Sequence, residues 1–183
     1  MSRAQEDADA RWQATVPVWL DRISSMAAFP RPNQKNRYLV DHITLLRRSL
    51  QVCAGRDLVD DGLDDSEAAE RIFKAPLVVL SHNAEPDPIL TYGNLQAMQL
   101  FGVSWKQLTA TPSHFTAEAP DRQERARLLA EVAAKGFLDD YSGIRKSFDG
   151  KRFRIQRATV WNLTDSNGVY RGQAAMFRDW LVL

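Results

Sequence analysis

The sequence predicts an α+β domain built on an antiparallel sheet, preceded by an α-helical extension. Two observations carry that prediction. Short apolar strands bounded by turn residues come in hairpin pairs, and the helical periodicities between them are grouped rather than alternating with single strands. That grouping argues against parallel β-α-β units and for antiparallel pairing.

Residues 3–29 read as helical, with Trp12, Val16, Trp19, Leu20 and Ile23 on one face and Pro17 marking a kink or a break into two short helices. The run Phe29 to Asn33, FPRPN, reads as a linker. A second helix is predicted over residues 36–54, where Leu39, Ile43, Leu46, Leu50 and Cys53 recur at steps of four and three and Gly55 occupies the terminating position. Two heptads are too short to specify a coiled coil, so this stripe docks on a core or helps form a dimer. Residues 57–70 are acidic, but their spacing fails the calcium-loop pattern; a solvated loop leads instead into a short helix capped by Asp65.

After Pro76 the period changes to two. Leu77–Leu80 and Ile89–Asn94 read as a strand pair around the turn residues HNAEPDP. A helix over Leu95–Phe101 ends at Gly102, and Ser104 caps a short turn carrying Trp105 and Leu108. The strongest helix is Asp121–Lys135, rich in helix formers and closed by Gly136. Three strands follow: FLDDYSGIRKSF, KRFRIQRATVWNL and VYRGQAAMFRDW, separated by the turn pair Asp149-Gly150 and by Asp165–Gly168.

Composition narrows the function. The 183 residues are 44% hydrophobic and 26% charged, with a net charge of +1, 3 His and one Cys. A zinc site built from cysteines and a disulfide framework are excluded by supply. No apolar run is long enough for a membrane span, and the charged N-terminus lacks a signal-peptide core, so the protein is expected in the cytoplasm, where Cys53 stays reduced. A basic stretch, Arg145, Lys146, Lys151, Arg152, Arg154 and Arg157, holds Phe148 and Phe153, yet strand alternation divides its charges between two faces and argues against nucleic-acid binding.

No catalytic constellation is found. Ser81 and His82 point to opposite faces of a strand, as do Asp139 and Asp140, and no nucleophile elbow or glycine-rich phosphate loop occurs. The informative region is the sheet. On KRFRIQRATVW the odd positions Phe153, Ile155, Arg157, Thr159 and Trp161 form the more apolar face, so Arg157 is expected to enter the core, where a guanidinium needs a carboxylate or an anionic ligand. Tyr141 and Arg145 share a face, with Gly143 leaving space between them. The expected pocket lining is His82, Tyr92, Tyr141, Arg145, Arg157, Trp161 and Gln173. The alternative is an internal salt bridge from Arg157 to Asp139 or Asp140 with no ligand.

The segments LTYGNLQAMQLFGVSWKQLTA, APDRQERARLLAEVAAKG, SFDGKRFRI and DSNGVYRGQAAMFRD resemble PAS domains. More narrowly, HITLLRRSL, GRDL, APLVVLSH, DPILTYGN, DDYSGIR and RFRIQRATVWNL resemble the PAS-related MEKHLA domain of bacterial proteins, over residues 40–179. The resemblance implies a five-stranded antiparallel sheet with helices on one face, a domain over residues 36–183, and an extension and linker over 1–35. It implies a regulatory, non-catalytic module for ligand, redox or partner sensing or for signalling through dimerisation, with a homodimer through residues 3–54 or a regulatory protein as partner; the pocket residues, not the resemblance, suggest that a ligand would be a small anionic or aromatic molecule. A ligand-free protein-interaction module is the alternative; a small-molecule enzyme is a weaker one. It leaves the cofactor open. Flavin photochemistry needs a Cys near Asn94-Leu95-Gln96, which holds none, and heme ligation needs a His that Asp121–Lys135 lacks; His82, ending the first strand, and His114, seven residues before that helix, are expected to be hydrogen-bonded structural residues.

Overall fold

The computed structural model describes residues 30–59, 62–117 and 119–183. The predicted helix over 3–29 lies outside the described residues. The chain enters through a 3-10 turn, Gln34–Leu39, closed by reciprocal capping between Asn33 and Asn36. Arg37, Tyr38 and Leu39 all take positive φ, and this left-handed run aims Tyr38 at Phe73, 5.8 Å away, and at the Glu70 carboxylate, to which its hydroxyl donates at 3.1 Å. The helix expected from residue 36 therefore begins at Val40 (α1, Val40–Ala54). α1 is fixed to the next loop by Arg47, which reaches Asp57 and Asp65 at 2.8 Å each. The second helix, α2 (Asp65–Lys74), is capped by Asp64 rather than Asp65: its carboxylate accepts from Ser66 and Glu67 N–H, and Glu67 returns the bond. The acidic segment is thus consumed by caps and ion pairs.

Strands β1 (Val78–His82) and β2 (Leu90–Gly93) form the first hairpin. Helices α3 (Leu95–Phe101), α4 (Trp105–Leu108) and α5 (Ala119–Lys135) follow, the last starting two residues earlier than predicted. Strands β3 (Phe137–Lys146), β4 (Arg152–Thr164), β5 (Tyr170–Phe177) and β6 (Asp179–Val182) complete an antiparallel sheet of order β2-β1-β5-β4-β3. β6 pairs with β4 in the same register as β5, so the two are one strand interrupted at Arg178. The sequence had read them as one.

Helices α5 and α1 take different sides of the sheet. Trp161 Nε1 donates to the Leu46 carbonyl of α1 at 3.2 Å, while its neighbour Asn162 Nδ2 donates to the Val132 carbonyl of α5 at 3.0 Å. Adjacent strand residues point to opposite faces. The expectation of helices on one face holds for α5 but not for α1, which seals the other face with Ile43, Leu46 and Leu50, each fully buried. Each such side chain contributes roughly 1.5–3 kcal/mol of burial.

A break in β4 sets which residues face where. Arg157 has φ 51 and Asp140, across on β3, has φ 58. Pairing slips by one residue between Leu138↔Val160 and Tyr141↔Ala158 and returns at Gly143↔Ile155. Such a bulge inverts the alternation. Phe153 and Ile155 face α5's side before it; Ala158, Val160 and Asn162 do so after it. Trp161 consequently faces α1.

Candidate functional site

Between the sheet and α5 lies a cavity of about 60 Å³, lined by side chains of β1, β3, β4, β5, α3 and α5. Four of the seven expected residues line it: His82, Tyr141, Arg145 and Gln173. The apolar wall, which sequence reasoning did not assign, includes Phe101, Leu128, Leu129, Ile155, Val160 and Phe177, and Thr116 adds a hydroxyl. The period-3.6 spacing of Leu128 and Leu129 with Val132 on α5 was the available signal for the wall.

Three expected residues lie elsewhere. Arg157 is the bulged residue; its side chain is 73% exposed and pairs with Asp179 at 2.7 Å, not with Asp139 or Asp140. Asp139 instead binds Arg56 at 2.6 Å and accepts from Thr159 at 2.7 Å. Trp161 is sent to the α1 face by the same bulge. Tyr92 pairs in register with Ser81, not His82, and so sits against α1, its ring 5.5 Å from His42.

Within the cavity the polar groups converge on β3. Tyr141, Gly143 and Arg145 occupy one face. A Cβ at Gly143 would stand 2.3 Å from the Tyr141 hydroxyl and 3.2 Å from an Arg145 nitrogen, so only glycine lets both side chains fold over this position. Arg145 is 8% exposed. Its Nη1 donates to the Ile144 carbonyl at 2.8 Å, its Nη2 to the Tyr141 hydroxyl at 3.1 Å, and its guanidinium lies 5.3 Å from the Tyr141 ring centroid. No carboxylate among the described residues pairs with it. A buried cation in that state is expensive unless something anionic joins it. The buried-arginine argument made for Arg157 therefore belongs to Arg145.

The far wall is held by backbone contacts. Gln173 Nε2 donates to the Leu129 carbonyl at 2.9 Å and to Asn162 Oδ1 at 3.0 Å, tying β5 to α5. Gly172 lets β5 approach β1 closely: a Cβ there would stand 1.9 Å from the His82 carbonyl oxygen. The His82 ring, its Nδ1 donating to the Asn83 carbonyl at 2.8 Å, is thereby set at the cavity rim.

The opposite face carries a polar cluster that sequence reasoning missed. His42 Nε2 lies 2.9 Å from Ser81 Oγ, which lies 3.0 Å from Thr91 Oγ1. Burial lowers His42 from its ordinary value to about 4 and raises the Tyr92 phenol. The Tyr92 hydroxyl is buried with no hydrogen-bond partner among the described residues. His42 hydrogen-bonds no carboxylate among the described residues, and Ser81 is 2% exposed. Of the two aromatics in the basic stretch, Phe153 is 2% exposed against Phe101 and Phe148 is half-buried. The residues present do not fit a flavin: the cavity is compact, and Cys53 lies on α1, outside its lining.

Comparison with known proteins agrees with this architecture. The family model for the MEKHLA domain matches residues 40–182. No curated protein matches the chain. Among solved structures, the PAS domain of a protein from Colwellia psychrerythraea superposes with TM-score 0.54 at 16% identity, over 61% of this chain and 92% of that one. An RNA-binding light-oxygen-voltage receptor gives TM-score 0.55 at 16% identity, over 68% and 35%. A fungal LOV-domain photoreceptor gives 0.51 at 14%, over 77% and 91%. At these identities the likeness is one of fold. Among the described residues no helix is long and apolar enough to cross a membrane.

Proposed function

The chain belongs to the MEKHLA-domain family, a PAS-like class of sensory, non-catalytic modules, and on that premise we propose that it binds a small anionic or aromatic molecule in the cavity beneath α5. The observation that carries this reading is Arg145, a buried guanidinium without a carboxylate partner at the wall of an apolar cavity. Binding there would tighten β3, β5 and α5 around the ligand. The single thiol fits a cytoplasmic setting. Native mass spectrometry of protein purified from its own host tests it. A retained small-molecule mass supports ligand sensing, and a bare chain with an empty cavity rejects it.

A second reading is a homodimer through the helices that precede the sheet, in which Val52, an apolar side chain 87% exposed on α1, would be a contact. Deleting residues 1–30 and introducing Val52→Glu should then shift the chain to monomer by light scattering. An unchanged oligomeric state in both variants would reject that interface.

A further inference from the structure

Resting on the ligand-binding reading above, we propose that the cavity selects a monocarboxylate with a compact apolar body, such as a single ring or a short branched chain. The charge pattern of the arginines points to this class. Arg47, Arg56, Arg157 and Arg171 are all more exposed than Arg145, and each has a carboxylate within 2.8 Å. Arg145, the most buried of the five, has none. A guanidinium carries five N–H donors in a planar fork, and Arg145 uses two, one on the Ile144 carbonyl and one on the Tyr141 hydroxyl. The remaining donors suit a carboxylate, which matches the fork in both geometry and charge.

Tyr141 completes the head-group site. Its hydroxyl oxygen already accepts from Arg145, so its own proton is available to a second oxygen. Gly143 keeps that hydroxyl and the guanidinium together over β3. Among the described residues one permanent positive charge lines the cavity, which neutralises a monoanion and leaves a phosphate dianion undercompensated. Beyond the head group the wall includes Phe101, Leu129, Ile155 and Phe177, with no second permanent cation among the described residues to hold a diacid's far end. The cavity of about 60 Å³ is smaller than a single ring needs, so a ring enters only if α5 moves outward from the sheet, while a short branched chain needs less room.

The test uses the full chain with named probes: benzoate and isovalerate, their neutral counterparts benzamide and isovaleramide, and inorganic phosphate, each titrated calorimetrically. The carboxylates should bind ten- to a hundredfold more tightly than the amides, the difference expected for a charge-assisted pair. Arg145→Gln should erase that preference, and Tyr141→Phe should reduce it by a smaller factor, with circular dichroism confirming the fold of both. Amides binding as well as carboxylates, or phosphate binding as well as benzoate, would overturn the carboxylate assignment while leaving the pocket reading intact. Failure of every probe would overturn the carboxylate assignment, whereas the pocket reading falls separately, on an empty mass spectrum of the host-purified protein.

Discussion

The two faces of the sheet are made from the same strands, yet they are finished in opposite ways. On the α1 face the polar groups are satisfied largely by one another: Trp161 meets the Leu46 carbonyl, and His42, Ser81 and Thr91 form a chain of contacts. On the α5 face the strands leave a cavity, a guanidinium short of acceptors, and a glycine where a side chain would close the gap. Ser81 and His82 sit side by side on β1, as Trp161 and Asn162 do on β4, and each pair divides between the two faces. The difference teaches that strand alternation separates stability from recognition within single strands. A substitution on one face should move the melting curve, and its neighbour should move affinity.

The largest expected effect is on the sealed face. Trp161→Ala removes a fully buried indole and should cost about 3–5 kcal/mol in denaturant unfolding, with benzoate affinity unchanged in the folded fraction. A loss below about 1 kcal/mol would mean that α1 is not seated on this residue.

Next comes the pH response of the same face. His42 titrates near 4 when folded and near 6.5 when unfolded, so the unfolded chain binds more protons between those values. Its contribution is fully present above pH 6.5 and is lost as pH falls toward 4, by on the order of 1 kcal/mol per pH unit. His42→Gln should flatten that stretch of the stability profile. A variant with the parent's slope would place the proton uptake elsewhere.

A smaller effect is expected of opposite sign. Tyr92→Phe removes a buried hydroxyl that has no partner among the described residues and should stabilise by about 1 kcal/mol. Destabilisation would show that the hydroxyl is satisfied in solution, for instance by a buried water.

The smallest effect belongs to Arg157. Its ion pair with Asp179 is solvent-exposed, and Arg157→Ala should leave both thermal unfolding and probe affinity unchanged. A selective loss of binding would restore this residue to the site and contradict the bulge geometry.

Local chemistry determined much of this in advance. Helix ends at Gly55, Gly102 and Gly136, the Ser104 cap, the strand pairs and the shared face of Tyr141, Gly143 and Arg145 follow from residues within a turn or two of one another, so the chain alone specifies them. His82 and Gln173 also reached the cavity as expected, the two being paired residues on β1 and β5. What the chain alone did not specify depends on partners distant in sequence. The inversion at Arg157 exists because β3 and β4 slip past each other, and Tyr92 leaves the cavity because β2 registers with Ser81. A bulge changes which of two alternating sets is inward without changing either set's composition, so the pattern reads equally well both ways. Only the assembled sheet, with α1 on one side and α5 on the other, chose between them.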